Sequence, residues 1–156
     1  MNFGDWLKKW NMTSLKINAG FMAMEFSPSE DDKDAAWRLY IELLTRITTQ
    51  RLPPGDGNED TALNSIFSLF ATTRKIIIET GRGCGEFTKV AVVILNQKVR
   101  PFTAKWHKIA TDEGFRNKAV CKEFRSELND LQDILKIYSR MLADMAGVED
   151  LTEFEG

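Results

Sequence analysis

One histidine, His107, and two cysteines, Cys84 and Cys121, are all the Cys and His ligands this sequence can offer a metal. A structural zinc site needs about four such ligands close together, and a di-iron carboxylate bundle needs two Glu-x-x-His pairs. Neither can be assembled, so no metal and no cofactor is expected. Two cysteines cannot make a disulfide framework, and the expected state is a reduced cytoplasmic pair. Long apolar runs are also missing. The most apolar stretch, Val90 to Leu95, is far shorter than the ~20 residues a membrane span requires. Residues 1–11 have no apolar signal core, and position 2 is asparagine where myristoylation needs glycine, so a cytoplasmic location is expected and a membrane is not an expected partner. The net charge of −2 excludes a generic polyanion binder.

The sequence has 156 residues, 43% hydrophobic and 28% charged, enough for one domain with its own core. Its period is mostly helical, and the predicted class is mainly all-α. The expected architecture is an antiparallel four-helix bundle over 29–146, preceded by a short helix and a β-hairpin within 1–28 and followed by an acidic tail over 147–156 that frays. In the opening helix, Phe3, Trp6, Leu7 and Trp10 share one face. Alternation from Thr13 to Asn18, a turn at Ala19-Gly20 and an apolar run from Phe21 to Phe26 predict the hairpin.

The first long helix is predicted from about Ser29 to Thr49, with Trp37, Tyr40, Ile41, Leu44 and Ile47 inward, ending in a loop at Leu52–Gly57. The second runs from about Asp60 to Thr80 with Leu63, Ile66, Phe67, Phe70 and Ile77 inward. Gly81-x-Gly83-x-Gly85 turns the chain. The third, Glu86 to about Ile109, is the most apolar and is placed centrally, with a kink expected at Pro101. The fourth runs from about Asn117 to Met145. Its seam is Phe124, Leu128, Leu131, Leu135, Tyr138, Leu142 and Met145. At 29 residues it is roughly 43 Å long and is expected to offer its end to a partner.

The third helix carries the sharpest candidate site. Lys89, Asn96, Arg100, Thr103 and His107 share one face, opposite Phe87, Ala91, Ile94, Leu95, Phe102 and Trp106. Arg100 and His107 have an R-x6-H spacing. This spacing resembles the R-x4-6-H element of the HEPN ribonucleases, which are also small helical bundles. The resemblance implies a histidine handling protons at the RNA 2′-hydroxyl and an arginine stabilising the phosphate. It covers two residues, and Pro101 replaces the polar residue that often follows the arginine. Lys89, Lys98, Lys105 and Lys108 join Arg100 against Glu86 alone and are candidates for anion contact. The acidic stretch from Glu25 to Asp34 and the tail are the expected intramolecular counter-charge.

Other motifs read as structure. The glycine loop follows a helix, not the strand a dinucleotide fingerprint requires. Cys84 precedes a helix start but lies about 30 Å along the helix from His107 by rise alone. Asp56 to Asp60 imitates an EF-hand opening, yet Thr61 and Phe67 stand where the turn glycine and bidentate acid belong. With so little catalytic equipment, the expected function is a non-enzymatic helical protein-interaction module, a subunit or regulator. It would associate with itself or with a protein partner through Phe3, Trp6, Leu7 and Trp10. The alternatives are a metal-independent HEPN-like ribonuclease using Arg100 and His107, and a nucleic-acid-binding subunit using the basic third helix.

Overall fold

The computed structural model describes residues 1–46, 48–52 and 58–154. Among them the secondary structure is helical, with no strand. The helices are α1 (Phe3–Lys9), α2 (Ala19–Ala23), α3 (Glu30–Leu44), α4 (Glu59–Thr80), α5 (Gly85–Ile94), α6 (Arg100–Thr111) and α7 (Lys118–Ala146). A π turn, Leu95–Val99, joins α5 to α6, and a 3₁₀ turn, Gly114–Arg116, precedes α7. α3 packs chiefly on α7, and also on α4 and α5; α4 packs on α6. No helix is long and apolar enough to cross a membrane among the described residues.

Local chemistry sets the boundaries. Ser29 and Asp32 form a reciprocal capping box at the start of α3. Asn58 caps α4 by accepting the Thr61 N–H, and Asn117 caps α7. α3 stops at Leu44, short of the predicted Thr49. The hydroxyls of Thr48 and Thr49 both donate to the Leu43 carbonyl, and that of Thr45 to the Ile41 carbonyl, which draws these acceptors away from the helical ladder. Ile47 and the loop residues 53–57 lie outside the described residues.

The predicted hairpin over 13–26 is contradicted. Gly20 does not take a positive φ. Asn18 caps α2 by accepting the Phe21 N–H, so Ala19 and Gly20 enter a helix instead of a hairpin turn. The alternating segment before it finds its partner in a side chain: Lys16 N–H donates to Gln97 Oε1 and Gln97 Nε2 donates to the Lys16 carbonyl, both at 2.7 Å. One isolated antiparallel bridge, Asn2 with Glu25, is all the β pairing present among the described residues.

Pro101 has a different consequence from the simple kink expected. The π turn immediately before it lets Arg100 N–H bond to the Leu95 carbonyl, five residues back. Wider pairing of this kind absorbs the hydrogen bond that proline cannot donate. The tail is also not frayed over its described part. Leu151 N–H donates to the Tyr40 hydroxyl, and Arg140 pairs with Asp150 and Glu153.

α3 and α4 are rotated from expectation. α3 buries Ala35, Ala36, Leu39, Tyr40 and Leu43, leaving Trp37 51% and Ile41 41% exposed. α4 buries Leu63, Ile66 and Phe70 as expected, but Phe67 is 48% exposed and Ile76 takes the buried place given to Ile77. The apolar faces of the third helix and of α7 are buried throughout as predicted.

One carboxylate ties two helix starts together. Asp32 is buried, closes the α3 capping box with Oδ2, and accepts the Phe87 N–H of α5 at 3.0 Å with Oδ1. Asp32→Ala is expected to cost about 2–4 kcal/mol in urea unfolding, combining a lost cap with an orphaned buried N–H. Asp32→Asn, which keeps one acceptor, falls between. Nearby, burial pushes the Glu86 carboxyl upward, Lys89 opposes this and Asp32 adds to it. Folding therefore favours protonated Glu86. That stability is fully present below the ordinary carboxylate range and lost as pH rises through the raised value. Glu86→Gln should raise the Tm at neutral pH, with the gain closing below about pH 4.

Candidate functional site

The N-terminal aromatic face belongs to this chain's own core. Phe3, Trp6 and Leu7 are buried. Trp6 stacks on Phe26 at 4.1 Å, and its Nε1–H donates to Asp144 Oδ2 on α7 at 2.8 Å. Phe3 packs against Phe21 and Phe26. Trp10 is half-buried, beneath the Lys9 ammonium. Trp6 and Lys9 of α1 thus both hold Asp144, near the C-terminus of α7. Sequence periodicity identifies the face but has no means of showing that Phe21 and Phe26 cover it, or that the partner of the Trp6 N–H lies 138 residues away in the same chain.

Arg100 and His107 do share a face of α6, and both meet α4. The Arg100 guanidinium lies over the Phe70 ring at 4.5 Å, and its Nε donates to Asn96 Oδ1 at 3.1 Å. His107 is half-buried, edge-on to Phe67 at 4.9 Å. Phe67 and Phe70 are themselves 5.8 Å apart. Aromatic rings of α4 therefore floor the polar stripe of α6. Periodicity places both rings in the core; Phe70 is buried there, while Phe67 stands half exposed beside His107.

The candidate anion-contact lysines divide. Lys105 is bound by Glu127 and Glu123 of α7, whose carboxylates hold its ammonium above the usual lysine range. Lys98 donates to Ser14 Oγ. Lys89 lies within the field of Glu86, and Lys108 is exposed. For Lys105 the counter-charge comes from α7, not from Glu25–Asp34 or the tail, because α6 and α7 meet in an elbow in which Lys105 faces Glu123 and Glu127. Trp106, Phe115, Phe124 and Phe102 fill that elbow.

The glycine loop serves packing. Gly81 has φ +92°, a conformation side chains disfavour, and its N–H bonds to the Ile77 carbonyl. A Cβ at Gly83 would sit 2.0 Å from Asp31 Oδ2. Cys84 is buried and its thiol donates to the Gly81 carbonyl. Cys121 is half-buried and donates to the Phe115 carbonyl; burial raises its thiol pKa, away from the reactive thiolate. Among the described residues no three His, Cys, Asp or Glu side chains come together as a metal site.

Trp6→Ala should destabilise the fold by about 3–5 kcal/mol, the range for deleting a buried large aromatic. Chemical denaturation of this variant beside Trp10→Ala checks it, with Trp10→Ala much the milder.

Comparison with protein-family models, curated proteins and solved structures finds no match to this chain.

Proposed function

We propose that this chain is a non-enzymatic interaction module, an antiparallel bundle of its long helices that works in the cytoplasm as a pair of identical copies joined through α3. The observation that carries the reading is the exposure of Trp37 and Ile41 on a helix whose other face is fully buried. Exposed large apolar side chains grouped in this way mark contact surfaces. They line a cleft of about 360 Å³ between α3 and α4, with Arg38, Glu42, Arg46 and Lys75 at its edge. Both cysteines are free thiols, in keeping with a reducing compartment.

Charge complementarity selects a second copy as the occupant. Along α3 and its end, Asp34, Arg38, Glu42 and Arg46 alternate in sign at four-residue spacing, beside Trp37 and Ile41. Turned antiparallel about the level of residue 40, this pattern meets its own complement: Asp34 opposes Arg46, and Arg38 opposes Glu42. An isologous two-fold contact has this self-complementarity. Within one copy Arg38 already pairs with Glu79 at 2.7 Å and Arg46 with Glu42 at 2.6 Å, so the dimer would extend these pairs into shared networks.

Sedimentation equilibrium should give twice the monomer mass. Ile41→Asp should yield a monomer with its unfolding free energy changed by no more than about 0.5 kcal/mol, as for a surface substitution. Arg38→Glu should weaken the pair, and adding Glu42→Arg should restore it. A wild-type monomer at high concentration, or no rescue by the double change, would overturn the reading.

A further inference from the structure

Acidic side chains are unevenly distributed along the chain. None occurs between Asp60 and Glu79 on α4, and none between Glu86 and Asp112 along α5, the π turn and α6. Those two stretches hold two and five lysines and arginines respectively. The fold sets them side by side. Phe67 meets His107 and Phe70 meets Arg100, so α4 and α6 run antiparallel along an acid-free seam.

Some of the cations are spent within the chain, as Lys105 and Lys98 are. Arg74, Arg100 and Lys108 are exposed and form no ion pair with a described residue. Arg74 follows Phe70 by four residues, which places it on the same face of α4. Only Nε of Arg100 is engaged, so its outward Nη protons have no acceptor among the described residues. Its guanidinium carbon lies over the Phe70 ring at 4.5 Å, at an exposed position. Phe67, half exposed, meets its ring neighbours at 4.9 and 5.8 Å, with part of its ring open to solvent. Ala71 and Ala104, both exposed, keep the space between these groups low.

We propose that this α4–α6 face binds single-stranded nucleic acid, with bases stacked on Phe67 and on the Arg100 plane and phosphates held by Arg74, Arg100 and Lys108. An acid-free row of cations follows a phosphate backbone, and an open π surface beside it takes a base of any identity. A single strand is required because a duplex hides its base faces. A lipid surface is the less suited ligand: it rewards several inserted apolar side chains, and this face offers one half-exposed ring between alanines and cations. The net charge of −2 does not oppose the binding, because the acids lie outside the seam.

Fluorescence anisotropy with labelled oligouridylate and oligothymidylate of about 12 nucleotides, within the usual size of single-strand sites, tests this. Binding of either carries the proposal, and their ratio separates RNA from DNA. The expected plot of log affinity against log salt has a slope of about −2, from three phosphates at about −0.7 each. Phe67→Leu, which keeps the packing but loses the ring, should weaken binding at least about fivefold. Arg100→Lys, which keeps the charge but loses the plane, should do the same. Arg74→Ala and Lys108→Ala, at exposed positions that leave the fold intact, should each reduce the slope by about 0.7. Lys8→Ala, outside the seam, should change nothing. No anisotropy change at about 100 µM protein in low salt would overturn the proposal. So would undiminished binding by Phe67→Leu and Arg100→Lys, or tighter binding to phosphatidylserine vesicles than to either oligonucleotide.

Discussion

The buried carboxylate of Asp32 fixes how the molecule is put together. Its oxygens take the N-cap N–H of α3 and the Phe87 N–H of α5, so the positive ends of two helices converge on one charge. Burying a carboxylate is costly unless its oxygens are fully engaged, and here the two helix starts supply the engagement. The loop between α4 and α5 is drawn into the same place: Ser29 Oγ donates to the Gly83 carbonyl at 2.8 Å, and Asp31 presses against the vacant side of Gly83. With the starts of α3 and α5 pinned together, the apolar face of α5 has to meet α3. The same pin sets the direction in which α6 leaves toward α4. The cost falls on Glu86, whose carboxyl is partly buried beside Asp32 and destabilised as an anion.

Two segments distant in sequence close on α7. Trp6 bonds to Asp144 near its C-terminus, and Arg51, just after α3, reaches the Asn129 carbonyl, Gln132 and Asp133. The tail returns to Tyr40 through Asp150 and Leu151, and to Arg140 through Asp150 and Glu153. α7 therefore acts as a spine to which other segments are tied through Asn129, Gln132, Asp133, Arg140 and Asp144. Its acids Glu123 and Glu127 neutralise Lys105, which leaves the uncompensated cations on the opposite side of α6, toward α4. The proposed single-strand face is a product of this division of charge, and the proposed self-pairing face on α3 lies apart from it.

The sequence by itself determined the all-α class, the capped start of α3, and the buried faces of α5–α6 and α7. These follow from local rules, in which a cap or an apolar stripe depends on residues within a few positions of each other. α5–α6 and α7 have one dominant stripe each, so the period admitted one answer. On α3 two stripes lie on nearly opposite sides, roughly 165° apart at 100° per residue, one carrying Trp37 and Ile41 and the other Ala35, Ala36, Leu39 and Leu43. Period alone ranked the bulkier stripe inward. Only the tertiary structure decided for the other, because alanines let α3 approach α7 closely enough to bury Leu39 and Leu43. The hairpin failed for the same kind of reason: alternation over 13–18 specifies an extended chain but not its partner, and the partner is the side chain of Gln97. Arg100 and His107 were visible as a shared face from spacing. That the face rests on Phe70 and Phe67, with no acid opposite, depends on α4 lying antiparallel beside α6, a long-range placement that no local pattern encodes.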